Sequence, residues 1–483
     1  VPDAATSARL RDADDLLTGG PALEIRGDLA RRFLVNGNAT GGVDPTADVK
    51  DVIQNFNENR VAGTVGSLGS APAVLIQALD GAAGDELRLG LVRESVQDTK
   101  DDDKDGNFTE VIGVFNYDFG FINRGQITGN GQNIGISANA LRIAGSADGA
   151  HQTIIEGGIF NSNEATIGAS SFEADGVAFI FGAGASSPQL VNAGVILATT
   201  NTVAGHDGTA MRVDAGASLP SVTNSGLIAA NVRGYNGDAT AFRDLSGTVT
   251  TFLNAGRISA GYTDNDTTDN ITSGLGRAVA LDLSSATSAI TLTQNEVADN
   301  ARIFGDVLLG SGADRVDLLS GEVSGDIDFG AAGGAETLNI ISAKMFGDAI
   351  FRGAGANVSL NGSTMTGALS LGGGGAALSF TNGSIYNGDI TATGGAISML
   401  VNNSTMNNSG DGTLNLTSMS VANAGKIGFV IDNARVTGGQ PIFNVTGAAT
   451  IAADTTFTPI FQEFTNRNFT LRVLNAGTLN LGG

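Results

Sequence analysis

The 483-residue chain contains no cysteine and no tryptophan, only two histidines and eight prolines, and an aromatic fraction of 6%. Without cysteine there is no disulfide framework, no thiolate metal site and no cysteine nucleophile, and the redox compartment stays open. His151 and His206 leave little for general-base chemistry: neither lies in a nucleophile context, and G-x-S-x-G and H-E-x-x-H are both missing. Basic residues are scarce as well, 26 against 49 acids, for a net charge of -23 and a pI near 4.3. Coulomb repulsion then disfavours nucleic acid and anionic lipid, and divalent cations are the natural counter-ions. No run of about 18 apolar residues offers a membrane helix, and "VPDAATSARLRDADDLL" lacks the basic start and apolar core of a signal peptide. The expectation is a soluble chain, equally compatible with a mature fragment from which targeting and anchoring segments have been removed.

What is present in quantity is glycine, 70 residues, beside an apolar fraction of 41% that is too high for a disordered chain. The glycines repeat. Gly305, Gly325, Gly347, Gly367, Gly388 and Gly410 each open a short apolar run, at spacings of 20, 22, 20, 21 and 22 residues. A second glycine recurs in "LLSGEVSGDI", "SLNGSTMTGAL" and "FTNGSIYNGDI", at Gly321, Gly362 and Gly383. Alternating apolar residues such as Val316 and Leu318, or Leu378 and Phe380, read as strands with one buried face. A period near 21 with glycine and asparagine at the corners predicts a right-handed parallel β-helix, since both residues tolerate the left-handed backbone of sharp corners.

A longer unit fills the middle of the chain. "DGVAFIFGAGASSPQLVNAGVI", "DGTAMRVDAGASLPSVTNSGLI" and "GDATAFRDLSGTVTTFLNAGRI" align, placing Asn192, Asn224 and Asn254 at spacings of 32 and 30 in N-x-G-x-I. Asn123-Arg124-Gly125-Gln126-Ile127 is an earlier copy and Ala278 to Leu283 a later strand. Stacked asparagines predict an amide-to-amide ladder rather than ligands. Four regions follow: an irregular β-helix start over 1–115, long units over 116–300, units of about 21 residues over 301–440, and a cap over 441–483 rich in phenylalanine. Within the first, Ala73 to Ile76 and "GPALEIRGDL" read as coils. Val49, Val52, Ile53 and Phe56, after Asp44 and Pro45, predict a short helical insertion over Thr46 to Asn57.

The repeats "FINRGQITGN", "LVNAGVILA", "VTNSGLIAA" and "FLNAGRISA", with "IFGDVLLGSGADRVDLLSGEVSGDIDFG" and the terminal "FTLRVLNAGTLNLGG", resemble passenger regions of Gram-negative, alphaproteobacterial-type autotransporters. The resemblance covers the chain from about residue 115 onward. It implies a β-helical stalk exported to the cell surface, ending in an autochaperone-like cap before a membrane barrel. No barrel follows Gly483, so the expectation is either release by cleavage or a passenger represented alone.

The strongest candidate site is "DTKDDDKDGNFTE". Asp101, Asp103 and Asp105 alternate, Gly106 supplies a tight turn, and the Asn107 carbonyl completes the first half of an EF-hand-type calcium loop. Ile112 stands where a bidentate glutamate belongs and Glu110 comes two residues early, so calcium there needs a ligand from elsewhere. The other reading is a solvated acidic loop tip. "TDNDTTDN" is a weaker acidic loop, Gly310 to Val316 matches half of a G-x-G-x-D-x-U calcium repeat without tandem copies, and Arg26-Gly27-Asp28 is an integrin-type triplet of low specificity.

The expected function is a secreted or cell-surface stalk for adhesion, or a unit of a calcium-dependent array, with no enzymatic activity. Its partners would be further copies of itself or a host or cell-surface glycan or protein; no nucleic acid is expected, and membrane contact only through a barrel this chain lacks. The competing reading is a carbohydrate-active or sugar-binding β-helix, favoured by a groove with two close carboxylates and a stacking aromatic. A side lined by Ser, Thr, Asn and Gly favours the structural reading.

Overall fold

The computed structural model describes residues 20–482 except 31–32, 36–37, 40–59, 62, 82–84, 98–110, 118, 203–204, 235, 264–275, 296–300, 332, 354, 433–438 and 463–468. Among the described residues every regular element is a strand. The expected helix over Thr46 to Asn57 lies outside the described residues. The chain divides into two units, Val1–Thr248 with Ala260–Ala278, and Val249–Ser259 with Val279–Gly483.

Each unit is a parallel β-helix built on three long sheets, and unit 1 adds a short parallel sheet of Leu87–Leu89, Thr153–Ile155 and Ala185–Ser186. In unit 1 the first sheet stacks Leu23–Ile25, Val74–Gln77, Ala138–Ala144, Gly176–Phe181, Gly208–Val213 and Ala239–Asp244. The second stacks Phe33–Val35, Phe121–Asn123, Ile159–Asn161, Leu190–Asn192 and Ser221–Asn224. The third stacks Thr64–Leu68, Gln126–Asn130, Thr166–Phe172, Val195–Thr202 and Leu227–Gly234. Coils therefore begin at Leu23, well before the clear repeats. Two insertions leave this unit as antiparallel pairs: Asn38–Ala39 with Arg60–Val61, and Val92–Gln97 with Val111–Tyr117. The second pair brackets the acidic stretch, so that loop joins two hairpin strands rather than two coils.

Unit 2 repeats the plan with shorter turns. Its second sheet runs through Arg315–Leu318, Glu336–Ile341, Ala356–Asn361, Ala376–Thr381, Ile397–Asn402 and Ser418–Ala422. Alternation sends one set of side chains inward, so Leu318, Ile340, Leu360, Phe380, Val401 and Val421 form one fully buried column. The third sheet contributes Ile303, Val323, Met345, Met365, Tyr386, Met406 and Ile427 to the same interior. Each such side chain is worth about 1.5–3 kcal/mol in removal from water. The first sheet stops at Ile390–Ala392, while the second continues through Phe443–Ile451 to Leu474–Leu481. At that end Leu479 and Leu481, in register with buried Ala449 and Ile451, are 51% and 69% exposed.

Two corners fix the period. Between the second and third sheets Gly321, Ser342, Gly362, Asn382, Asn403 and Asn423 take φ values of 74°, 53°, 60°, 58°, 47° and 50°, and at two of these corners the next residue, Gly383 or Ala424, is left-handed as well. Before the first sheet, Gly325, Gly347 and Gly367 have φ of 147°, 148° and 149°, and a Cβ on any of them would strike the carbonyl oxygen of the glycine one coil earlier. The spacing near 21 is thus the distance between backbone contacts that admit no side chain.

Gly347→Ala is expected to destabilise unit 2 by about 2–4 kcal/mol, combining positive-φ strain with a backbone clash. Ala424→Gly, at a left-handed residue with φ of 58°, is expected to stabilise it or leave it unchanged. Denaturant unfolding of both variants checks the pair.

Candidate functional site

The interior of unit 1 carries one polar column. The amide Nδ2 of Asn123 donates to Oδ1 of Asn161 at 2.9 Å, Asn161 to Asn192 at 2.7 Å, and Asn192 to Asn224 at 2.8 Å. All four are fully buried, and Oδ1 of Asn123 also accepts the Gly125 amide at 3.0 Å. The predicted ladder forms, and it includes Asn161, which the N-x-G pattern misses because Ser162-Asn163 follow it. In unit 2, Asn254 donates to Oε1 of buried Gln294 at 3.2 Å in the same manner. These amides are occupied with one another and with backbone, so they hold coils rather than a ligand.

A second column is acidic and lies at the corner preceding the first sheet. In unit 1 the Asp207 amide donates to Oδ1 of Asp175, Asp238 to Asp207, and Arg277 to Asp238, at 3.0, 2.9 and 2.7 Å. Partial burial, then the like charges of Asp238 and Asp175, push Asp207 above the usual carboxylate range. Unit 2 repeats the device: Asp326 donates to Asp306, Asp348 to Asp326 and Ala368 to Asp348, at 3.1, 2.8 and 2.7 Å.

The outward side of the second sheet in unit 2 is largely polar. Strand register aligns Thr293, Asp317, Asn339, Ser359, Ser379, Leu400 and Ser420 in one file. Thr291, Arg315, Thr337, Asn357, Ala377 and Ser398 form the neighbouring file, ending beside Ser418. Exposed corners add amide pairs, Asn382 to Asn361 at 2.8 Å and Asn423 to Asn402 at 2.7 Å, and Asn475 to Asn444 to Asn415 at 2.8 and 2.9 Å. Where the first sheet stops, a groove of about 410 Å³ opens along Ile390 to Gly395, with Asp389, Asp411, Thr413 and Asn415 on its walls and no aromatic side chain in its lining.

The candidate calcium ligands Asp101, Asp103, Asp105, Asn107 and Glu110 lie outside the described residues, as do Asp264, Asp266 and Asp269. Among the described residues no cluster of three or more His, Asp or Glu is arranged to hold a metal ion. Arg26-Gly27-Asp28 follows a strand rather than lying in one: Arg26 pairs with Glu24 at 2.6 Å, and Asp28 accepts the Arg88 amide at 2.7 Å. His206 sits at the acidic corner, its Nδ1 3.3 Å from Asp175, and His151 meets the Gly81 carbonyl through Nε2 at 2.9 Å. Beside His151, the Ser146 hydroxyl and the Ala150 and Gly81 amides hold Asp148 down to about 2. Asp314, the aspartate of the half repeat Gly310 to Val316, proves to be an interior acid stacked with Glu336, which the sequence reading missed; each is 1% exposed. Both end a glycine-rich turn and they stand 22 residues apart, so superposing Gly310 to Asp314 on the following turn is the signal that finds them. Among the described residues no helix is long and apolar enough to cross a membrane.

No protein-family profile, curated protein or solved structure matches the chain.

Asn192→Ala is expected to cost about 2–4 kcal/mol, because it breaks the buried bonds from Asn161 and to Asn224 in the middle of the ladder. Asn444→Ala removes the middle of the exposed Asn415–Asn444–Asn475 run and is expected to cost less than about 0.5 kcal/mol. Chemical denaturation of the two variants side by side separates a ladder that holds coils from one that decorates them.

Proposed function

We propose that the protein is a structural β-helix of the bacterial outer-membrane surface or extracellular space, an adhesive or array-forming stalk of the autotransporter-passenger kind. The observation that carries this reading is the outward face of the second sheet in unit 2, two in-register files in which Ser, Thr and Asn predominate, interrupted by the Arg315–Asp317 pair and by Ala377 and Leu400. A weakly charged face rich in hydroxyls and amides offers many similar hydrogen-bonding groups and no single reacting centre, which suits contact with another surface. The polar ladders and in-register coil stacking within each unit support reach and surface over turnover.

Calcium is the proposed bridge between copies. The hairpin strands Val92–Gln97 and Val111–Tyr117 bracket the acidic stretch in the chain, and Asp101, Asp103, Asp105, Asn107 and Glu110 would take their missing ligand from a neighbouring copy. Host or cell-surface glycans and proteins are the alternative contacts. A sugar-binding or carbohydrate-active role rests on one feature, the groove that brings Asp389 and Asp411 to the same opening.

Light scattering and negative-stain microscopy with calcium and then with chelator test the proposal. Filaments or lattices that form with calcium, dissolve with chelator and are lost in D101N/D103N/D105N are expected. Single particles of one size under both conditions, with no binding to host-matrix or cell-surface panels, overturn it. Glycan binding or cleavage that D389N/D411N abolishes would instead establish the sugar reading.

A further inference from the structure

Asp314 and Glu336 occupy the same position on successive coils of unit 2, one residue before the paired positions Arg315 and Thr337. Each uses one carboxylate oxygen on a backbone amide of the preceding turn. Ile290 donates to Oδ1 of Asp314 at 2.7 Å, and the Asp314 amide donates to Oε2 of Glu336 at 2.6 Å. The other oxygen of each, Oδ2 of Asp314 and Oε1 of Glu336, is buried with no hydrogen-bond partner. Two full negative charges on neighbouring coils, whose backbones are about 4.8 Å apart, are strongly unfavourable in an interior of low dielectric without a proton or a cation.

The surrounding groups supply no cation. Arg315 turns outward and pairs with Asp317 at 2.7 Å, and Asn339 also reaches Asp317, at 2.8 Å. Arg352, one coil on, pairs with Asp328 on the outside. Above Glu336 the register places Ala356, then Ala376, both buried. Asp314 is the charged group that faces Glu336, and burial together with that charge raises Glu336 to about 7; burial raises Asp314 too. The turns are also tightly stacked: a Cβ on Gly333 would strike the Ser311 carbonyl, and one on Gly334 the Ala313 methyl at 2.5 Å. A calcium ion wants six to eight oxygens at about 2.3–2.6 Å, whereas a proton needs no such space.

We propose that the Asp314–Glu336 pair holds one shared proton inside unit 2, and that losing it loosens the coils across residues 310–341, making this stretch a proton-responsive joint. A carboxyl whose native value lies above its unfolded one gives stability that is fully present below the unfolded value and lost as pH rises through the native one. Here that window runs from about 4.5 to about 7.

Hydrogen exchange of the full-length protein, read on peptides covering 310–341 and corrected for intrinsic rates, tests the joint. One proton with these two values predicts that protection falls roughly thirtyfold from pH 5.5 to pH 8.5. In E336Q the slope is expected to vanish; in D314N, with the facing charge gone, the fall is expected at lower pH. D317N, on the outer face of the same strand, is expected to keep the wild-type slope. Wild-type protection that does not change with pH overturns the proposal. If E336Q folds too poorly to compare, the D314N shift and a direct carbon-13 titration of the Glu336 carboxyl decide it, and a normal carboxylate midpoint there overturns it. Calcium that restores protection at pH 8.5 in the wild type but not in D314N overturns it in favour of a cation site.

Discussion

Every side chain in a parallel β-helix sits about 4.8 Å from the residue at the same position one coil away. The backbone ladder enforces this, so a residue is acceptable only if it tolerates its neighbour in the column, which is often another of its own kind. Apolar residues meet the condition by packing, as in the column from Leu318 to Val421. Asparagine meets it by carrying a donor and an acceptor on one amide, so that Asn123, Asn161, Asn192 and Asn224 link without any outside partner. Glycine meets it where two backbones touch, as at Gly325 and Gly347.

That constraint explains what was legible. Corners admit few residue types, so the glycine period of unit 2 and the N-x-G motif of unit 1 stood out, and the parallel β-helix followed from them. The columns inside were less visible. Asn161 lacks the glycine that marks its neighbours, and Gln294 takes over the amide position beside Asn254 with a side chain one methylene longer. The early coils at Leu23–Ile25 and Val74–Gln77 were legible in "GPALEIRGDL" and Ala73 to Ile76 as apolar strand text, but two insertions break their period, so their pairing across the chain was not. Functional features fared worse, because a face or an acid pair belongs to several coils at once and no local motif encodes it. The file from Thr293 to Ser420 exists only once the register is known.

Like charges are the hardest case for a stacked fold, and the chain handles them in two ways. At the corner columns each aspartate points one oxygen at the backbone amide of the next coil, as Asp306, Asp326 and Asp348 do, and leaves the rest of its carboxylate near water. A charge-assisted bond to an amide is about twice as strong as a neutral one, and solvent screens the repulsion between neighbours. The column then stabilises the corner instead of splitting it.

Asp314 and Glu336 use the same amide-capping geometry on the inside of the turn, and the balance changes. The bonds to Ile290 and Asp314 amides are as short as any at the corners, yet water no longer screens the second oxygens. What separates the two arrangements is solvent access rather than hydrogen-bond geometry: outside, water screens the repulsion between neighbouring acids; inside, the second oxygens of Asp314 and Glu336 are buried without a hydrogen-bond partner. A fold made by repeating one coil can therefore place a titrating group at a chosen height simply by moving an acid from the outer face of a turn to the inner one.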